Sequence, residues 1–237
     1  MEWSKFQDLF GEDIKTTKAA ATRDQFGEYL KHVFRLEQVA SPVTTSALAE
    51  SMKVAPSTVT EMLKRLSRNG LINYVPYHGI TLTAEGEKLS VQAIRRHRVV
   101  ERFLTDMLGF EWHEAHEEAL LFENNVSDEV EQRLYAALNH PKVCPHGYPI
   151  PSKVEDARVD EVNLYSLEPG ELAEVVSVKD DDPELLRFMA SLGIKPGVKI
   201  KIDAKDPFKG PLQTVVGKHR RTVGWHLANA IFVKKIR

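Results

Sequence analysis

The chain has 237 residues, of which 42% are hydrophobic and 28% charged, and a formal net charge of −2. This composition is typical of a globular protein with two or three small domains and excludes intrinsic disorder. The sequence has no run of about eighteen apolar residues that could span a bilayer, and its charged start lacks the apolar core of a signal peptide. We therefore expect a cytoplasmic protein without a membrane partner. A single cysteine, Cys144, excludes an internal disulfide framework and leaves nitrogen and oxygen as the main ligands for any metal.

Charge is distributed unevenly along the chain. Residues 22–96 contain ten Lys/Arg against seven Asp/Glu, whereas residues 99–138 contain two against ten. Such asymmetry is typical of a polyanion-binding module joined to a module with another role. Two solvated helix faces would also produce it, so charge alone leaves both interpretations open.

The N-terminal third predicts an arm followed by three helices. Residues 1–22 are expected to form a flexible arm because their apolar positions are scattered. From about residue 24, apolar residues recur at spacings near three and four, which predicts a helix that ends before Pro42. A short helix follows. Pro56 then begins the next helix and Gly70 ends it.

This last helix has one apolar and one polar face. Its apolar set has the spacing 0, 3, 4, 7 and consists of Val59, Met62, Leu63 and Leu66. The stretch LINYVPYHGITLT then predicts two short strands around a turn at 77–79. Two helices joined by a turn, followed by a hairpin, form the pattern of a winged helix-turn-helix. The same helix pair occurs as a plain packing motif, but the hairpin and the basic outer face favour DNA binding.

The second helix of this motif would enter the major groove, where short polar side chains reach base edges and cations reach phosphates. The residues expected at base edges are Pro56, Ser57, Thr58, Thr60 and Glu61. The residues expected at the phosphates and the wing are Lys64, Arg68 and His78.

The middle of the chain is predicted to be helical. A long helix is expected from Thr83 to Leu108, another over about 112–124, and a third after Ser127, which is a good N-cap. An apolar seam on the third helix predicts a dimer surface, although an intramolecular core would show the same pattern. Its members are Val130, Leu134 and Leu138.

The segment HPKVCPHGYPIPS at 140–152 contains four prolines and a glycine and is expected to be an ordered, non-helical connection. Four short apolar stretches separated by Gly/Pro turns follow it, together with one helix at about 183–192. This pattern predicts a small β-barrel.

The long helix and the next one carry a candidate metal site. His97 and Glu101 are four residues apart and share one helix face. His116 and Glu123 are seven apart on the following helix. Two antiparallel helices could bring His97, Glu101 and His116 to one point, a nitrogen and oxygen set that suits manganese, iron or zinc. A surface His/Glu pair has the same spacing, so the pattern alone leaves that alternative open.

Several separated motifs resemble the diphtheria toxin repressor family of metal-activated transcriptional regulators. They are PSTVTEMLKRLSRNGLINYVPYHGITLTAEGEKL, RRHRVVERFLTDMLG, SDEVEQRL and CPHGYPIP, in family order. The resemblance implies a mainly α fold with a small β portion, divided into four parts. These are the arm at 1–22, a winged helix-turn-helix domain at 23–94, a helical dimerisation and metal-binding domain at 95–156, and a Src-homology-3-like barrel, similar to ferrous transport protein A, at 157–237.

The resemblance also implies two metal sites. One would be formed by His97, Glu101 and His116, with Asp182 and Glu184 as candidate ligands from the barrel. The positions of the other site are Glu28, Leu120, Glu123 and Asn124. Here the chain departs from the family, because Leu120 and Asn124 replace a cysteine or glutamate and a histidine. The remaining oxygen donors favour manganese.

The resemblance implies a repressor of manganese and iron homeostasis genes, and the ligand types predict activation by Mn(II) or alternatively Fe(II). Metal would order a homodimer whose recognition helices lie roughly 34 Å apart, one DNA turn, on a palindromic double-stranded operator. A winged-helix regulator of a non-metal ligand is the alternative. A metallohydrolase is disfavoured, because no second histidine follows His113-Glu114 or His116-Glu117 at HExxH spacing. We expect no enzymatic activity.

Overall fold

The computed structural model of the protein describes residues 17–158, 162–179 and 182–236. The chain forms two compact units, Met1–Ser90 and Val91–Arg237. Of the helices in the described ranges, none combines the length and the apolar character that crossing a membrane would require.

The first unit is a winged helix-turn-helix, as the sequence predicts. Its elements are α1 Thr17–Glu37, α2 Thr45–Ser51, α3 Pro56–Arg68, and the antiparallel hairpin of β1 Ile72–Val75 and β2 Gly79–Leu82. The first helix begins about seven residues earlier than expected. Its first turns contain the alanine-rich stretch TKAAAT, and alanine favours a helix even where large apolar residues are missing.

Local signals determine where these elements begin. The Thr44 hydroxyl accepts a hydrogen bond from the Ala47 amide at 3.1 Å and caps α2. Pro56 occupies the first turn of α3, where no backbone donor is needed. The core beneath α3 is fully buried and consists of Leu30, Leu48, Leu63, Leu66 and Ile80.

The second unit begins within the long helix α4, Ala84–Leu108. It continues with α5 Ala115–Phe122, a 3-10 turn at Glu123–Asn125, and α6 Asp128–Ala137. The Ser127 side chain caps α6 by accepting from the Val130 amide at 3.3 Å, as the sequence predicts. A small core that includes Val100, Leu104 and Ala119 joins these helices.

Residues 140–152, hereafter the strap, follow α6 as an ordered, non-helical segment. Backbone hydrogen bonds close it on itself, with the Cys144 amide donating to the Tyr148 carbonyl at 2.8 Å. Two arginines of α4 also donate hydrogen bonds to backbone carbonyls of the strap. The Arg98 guanidinium donates to the Pro149 carbonyl at 2.6 Å, and Arg95 donates to the Pro151 carbonyl at 3.1 Å.

The barrel is one antiparallel sheet in the order β6-β5-β4-β3-β7, around its own apolar core. Its elements are β3 Leu172–Val178, α7 Pro183–Ser191, β4 Lys199–Lys205, β5 Leu212–Val216, β6 His219–Val223, α8 Trp225–Asn229 and β7 Ile231–Lys235. Apolar patterning predicted four strands and α7 but missed β6, whose sequence HRRTV contains only one large apolar residue. This strand forms by pairing with β5, a contact that the apolar pattern of its own sequence does not predict.

The strap contacts the barrel directly. The Val178 amide of β3 donates to the His146 carbonyl at 3.0 Å. Gly147, with φ of +92°, lies so close to β3 that an added Cβ would be 1.9 Å from the Val176 carbonyl oxygen. Only glycine fits both this conformation and this approach. The strap residue His146 is thus positioned by the helices on one side and by the barrel on the other.

Candidate metal centre and nucleic-acid interface

Three imidazole nitrogens surround one carboxylate oxygen, Oε1 of Glu101. His97 Nε2 lies 2.9 Å from it, His146 Nδ1 3.1 Å and His116 Nδ1 3.3 Å. The His97 and His116 nitrogens are themselves 3.0 Å apart. Ligand atoms that converge in this way from separate elements can close around a single cation.

Each ligand reaches this point by a different route. His97 and Glu101 are one turn apart on α4, so that both side chains lie on the same face. His116 comes from the first turns of α5 and His146 from the strap. The structure therefore brings together the predicted trio His97, Glu101 and His116, while their role as metal ligands stays a prediction.

The sequence pattern missed two members of the cluster. Cys144 and His146 join Glu101 in a second group, within which the potential ligand atoms lie within 4.8 Å of one another. Both residues stand in the CPHG stretch, two positions apart, but the strap has no helical or strand periodicity from which their direction could be read. The one sequence feature that could have indicated these two ligands is the presence of Cys and His in an ordered, proline-rich connection.

The cluster is removed from solvent. Glu101 and His146 are completely buried, His97 and Cys144 are 2% exposed, and His116 is 8% exposed. An isolated charge in such a place would be costly, so these groups need a partner charge or a metal.

Electrostatics within the cluster follow from this burial. Burial opposes the ionisation of Glu101, but the charges of His97 and His146 outweigh it and hold the pKa of the carboxyl well below its usual range. Burial would lower the pKa of His146, yet the Glu101 carboxylate raises it to about 11. Burial, together with the charge of Glu101, raises the pKa of the Cys144 thiol. Metal binding at these residues would therefore displace protons.

The residues present fit a divalent metal. Glu101 Oε2 and His146 Nε2 are buried and have no hydrogen-bond partner among the described residues. Buried polar atoms in this condition call for an explanation, and the binding of an ion would provide one. Imidazole and carboxylate ligands suit first-row divalent metals, and Cys144 adds one softer ligand to the set.

Glu123 supports the cluster from behind His97. Its Oε2 lies 2.6 Å from His97 Nδ1, the ring nitrogen opposite the one that faces Glu101. A carboxylate in this position fixes the tautomer and orientation of a histidine ligand. The family resemblance placed Glu123 in the second metal site, whereas the structure shows it in contact with His97.

The other predicted residues of the second site are found in different surroundings. Glu28 belongs to the first unit, where its carboxylate lies 2.7 Å from Lys31 Nζ and 3.2 Å from His32 Nε2. Burial opposes its ionisation, but the hydrogen bond to His32 and the charge of Lys31 hold its pKa well below the usual range. Leu120 is half-buried and Asn124 is exposed on the second unit. The second metal site stays a prediction.

The two predicted barrel ligands stand at the start of α7. Asp182 Oδ1 accepts hydrogen bonds from the amides of Glu184 at 3.0 Å and Leu185 at 3.2 Å, and so caps that helix. Glu184 is exposed. Among the described residues, neither joins the groups of converging ligand atoms, and their metal role also stays a prediction.

The candidate nucleic-acid interface is the outer face of α3. All but one of its predicted contact residues are exposed, and Thr60 is half-buried. The exposed residues are Pro56, Ser57, Thr58, Glu61, Lys64 and Arg68.

Among the described residues, the polar contacts of Arg68 on this face stay within the helix. Arg68 donates to the Lys64 carbonyl at 3.2 Å and lies 3.9 Å from the Glu61 carboxylate. Such long, exposed contacts hold the side chains weakly.

The turn of the wing is exposed to solvent, like the outer face of α3. His78 is exposed, with Nδ1 3.1 Å from the Pro76 carbonyl oxygen. Tyr77 beside it is fully exposed and has a φ of +67°. At the base of the turn, a Cβ on Gly79 would lie 2.8 Å from the Pro42 Cβ, so the hairpin is packed closely against the preceding loop.

Three family models match the chain in succession. The model of the iron dependent repressor N-terminal DNA binding domain matches residues 22–80. The model of the iron dependent repressor metal binding and dimerisation domain matches residues 83–152, and the FeoA domain model matches residues 162–235. Together with the winged helix and the buried His/Glu cluster, these matches define a metal-dependent DNA-binding repressor.

Known relatives agree with this class. The diphtheria toxin repressor of Corynebacterium efficiens is 30% identical over 186 residues, which are 73% of this chain and 80% of that protein. The iron-dependent repressor IdeR of Mycobacterium bovis is 28% identical over 221 residues, 88% and 96% of the two chains. The chain belongs to the diphtheria toxin repressor family of iron-dependent repressors.

Solved structures show the same architecture. A manganese-dependent transcriptional repressor in complex with manganese is 32% identical, with a TM-score of 0.80 over 89% of this chain and all of that one. The repressor ScaR with bound Cd2+ is also 32% identical, with a TM-score of 0.77 over 89% and 99% of the two chains.

Proposed function

We propose that the protein is a cytoplasmic repressor that binds a palindromic operator as a homodimer when Mn(II), or alternatively Fe(II), occupies the cluster around Glu101. Genes of manganese and iron homeostasis would be its targets, and it would act by binding rather than catalysis. The observation that carries this proposal is the convergence of three histidine nitrogens within 3.3 Å of Glu101 Oε1.

The proposed ligands are His97, Glu101, His116 and His146, with Cys144 beside them. A bound divalent cation would supply positive charge that compensates the buried carboxylate. Glu123 would hold the His97 ring with Nε2 directed at the site, and Arg98 and Gly147 would keep the strap in place so that His146 reaches it. The solved relatives with bound manganese and bound Cd2+ support a metal in this family.

Large apolar side chains that are exposed on α4, α5 and α6 support the homodimer. They are Met107 at 59%, Leu108 at 56%, Leu121 at 74%, Phe122 at 44% and Val130 at 44%. Large exposed apolar groups on neighbouring helices are typical of an association surface. Of the predicted seam, Val130 remains exposed while Leu134 packs on the core of α4 and α5.

The test is a metal titration of purified, chelator-treated protein with Mn(II), Fe(II) and Zn(II), with metal affinity and DNA binding followed together. His146→Ala should lower metal affinity by more than the roughly ten- to hundredfold that loss of an outer hydrogen-bond partner costs, and should remove the metal-dependent gain in DNA binding. His226→Ala, at an exposed position on α8, is the matched control.

Two results would contradict the proposal. Chelator-treated protein that binds DNA as tightly as metal-loaded protein would favour the winged-helix regulator of a non-metal ligand. If the metal concentration that activates the His146→Ala protein is the same as for the wild type, the strap does not contribute a ligand to the site.

A further inference from the structure

The C-terminal part of the chain is strongly basic, and its charge has no role in the metal centre. Residues 199–237 contain ten Lys/Arg against two Asp/Glu, a net of +8. Five of these cations are exposed on or beside the outer side of the barrel sheet, hereafter the cationic face. They are Lys199, Lys201, Lys218, Arg220 and Lys234.

Strand register places these side chains together. Lys199 and Lys201 alternate with the fully buried Ile200 and Ile202 along β4, so the two lysines point away from the core. Lys201 pairs with Val215, which pairs with Arg220 of β6, so these three lie in one row across the sheet.

The rest of the face extends this row. Glu174 of β3 pairs with Lys199 on one side and with Lys234 of β7 on the other. Lys218 lies in the turn between β5 and β6. Cations from β4, the turn between β5 and β6, β6 and β7 therefore share one surface.

Little in the structure neutralises this charge. Lys201 Nζ lies 3.7 Å from an Asp203 oxygen. Within the described ranges, no ion pair is formed by the side chains of Lys199, Lys218, Arg220 or Lys234. Glu174 and Asp203 are the acidic groups that the described strands place on this face, where positive charge exceeds negative by three.

The chemistry of the face selects a class of partner. The apolar groups within this row are Val215, half-buried, and Leu172, 37% exposed. Cores of protein interfaces are enriched in aromatic residues and depleted in lysine. A face rich in lysine, without an aromatic anchor among the cations, therefore suits a polyanion better than a folded protein.

We propose that the cationic face binds the phosphate backbone of duplex DNA, as a second contact that does not read sequence. Lysine acts as a point charge on phosphate and positions a protein without specifying bases. A DNA-binding domain on the same chain keeps DNA at high effective concentration near the barrel, so even weak contacts add to affinity. The inference rests on the proposed operator binding through α3.

The test compares full-length, metal-loaded proteins on a mixed-sequence duplex of about 30 base pairs, roughly three helical turns. The fourfold variant combines Lys199→Gln, Lys201→Gln, Lys218→Gln and Arg220→Gln. Its plot of log affinity against log salt should be less steep than that of the wild type by about 1 to 4 units, since each lost phosphate contact contributes about 0.9.

A matched fourfold variant distinguishes the loss of phosphate contacts at the cationic face from a general loss of positive charge. Lys142→Gln, Lys153→Gln, Lys179→Gln and Lys195→Gln remove the same charge from exposed positions outside the cationic face, and should leave the salt slope near the wild-type value. Equal slopes for the two fourfold variants would overturn the proposal. Thermal unfolding checks that both fold, and a Lys201→Gln/Arg220→Gln double variant should show about half of the slope change.

Other partners would be recognised by different readouts. If the fourfold variant loses binding to phosphatidylserine vesicles while its DNA slope is unchanged, the face takes a membrane surface and the proposal is wrong. If instead its sedimentation shows a changed oligomeric state with unchanged DNA slope, the face takes acidic helices of a second copy, and the proposal is equally wrong.

Failure of the proposed function is distinguishable from failure of this inference. Lys64→Ala reports on α3 alone, because Lys64 belongs to the first unit. Binding that responds to Lys64→Ala but not to the fourfold variant overturns the cationic face and leaves the repressor function intact. Metal-loaded wild type that does not bind DNA overturns the proposed function itself, and the inference with it.

Discussion

The cluster around Glu101 and the outer face of α3 are opposite kinds of site. In the cluster, every side chain is at most 8% exposed and is held by neighbours from two helices and the strap. On the outer face of α3, the predicted contact residues are mostly exposed, and their hydrogen bonds to described residues stay within the helix. The cluster is thus held in place by contacts within the chain, whereas the side chains of the helix face are held by few such contacts among the described residues.

This difference has energetic consequences. A buried group of ionisable residues depends on each member, because removal of one leaves the others without a partner in a place where solvation is poor. Exposed cations each contribute a small, salt-sensitive amount, largely independent of the others. Substitutions should therefore act steeply in the cluster and gradually on the helix.

The largest effect on stability is expected at Gly147, which sets the strap against the barrel. Gly147→Ala combines a positive φ with a Cβ placed 1.9 Å from the Val176 carbonyl oxygen. We expect the free energy of unfolding to fall by about 2–5 kcal/mol, from backbone strain and overpacking together, and metal affinity to fall as His146 is displaced. Chemical denaturation and metal titration measure the two effects.

Gly197→Ala is the control for this experiment. Gly197 also has a positive φ, of +86°, but an added Cβ there would have no neighbour within 4 Å. Its cost should be about 1–2 kcal/mol, from the backbone alone, with metal affinity unchanged. Equal losses in the two variants would show that the contact between strap and barrel is unimportant.

A smaller effect is expected behind the ligands, at Glu123. Glu123→Gln keeps a hydrogen-bond acceptor for His97 Nδ1 but removes the negative charge 2.6 Å away. Metal affinity should fall about ten- to hundredfold, as is typical when the outer partner of a histidine ligand is altered. Calorimetric titration with Mn(II) measures it. An unchanged affinity would mean that this carboxylate does not tune His97.

On α3, the expected effect is smaller still and depends on salt. Lys64→Ala should weaken binding to all DNA sequences alike and reduce the salt slope by about 0.9, the contribution of one phosphate contact. Ser57→Ala on the same helix should instead change sequence preference without changing that slope. Loss of specificity with an unchanged slope in Lys64→Ala would contradict its assignment to phosphate.

The smallest effect concerns pH and a buried carboxyl outside both sites. Burial raises the pKa of Glu131, although Arg95, 2.7 Å away, opposes the shift. A carboxyl whose pKa is higher in the folded state contributes stability that is present below its unfolded pKa and lost as pH rises through the folded value. The stability of wild type relative to Glu131→Gln should therefore decrease as pH rises above the ordinary pKa of a glutamate, about 4.3. A relative stability that increases over this range would contradict the shift.

Much of the fold follows from local pattern. Apolar spacing on α3 and α4 predicts helices that the structure contains, and Ser127 caps α6 as expected. The spacing of four between His97 and Glu101 is enough to place both on one face. These predictions succeed because a helix makes its own geometry from residues close in sequence.

The missed features depend on contacts distant in sequence. His146 reaches the cluster because the strap is held by Arg98 from one side and by Val178 from the other, and no local period encodes this. Strand β6 exists because β5 pairs with it. Glu123 contacts His97 from the 3-10 turn that follows α5. The spacing of apolar residues does not predict such a turn.

The hydrogen bond between Val178 and His146 has a consequence for how the proposed sensor can change over generations. A ligand whose position is inherited from a neighbouring sheet can be shifted by substitutions in that sheet. Ion preference could then drift through altered barrel residues while all the coordinating side chains stay the same, so that chains with identical ligand sets need not respond to the same metal.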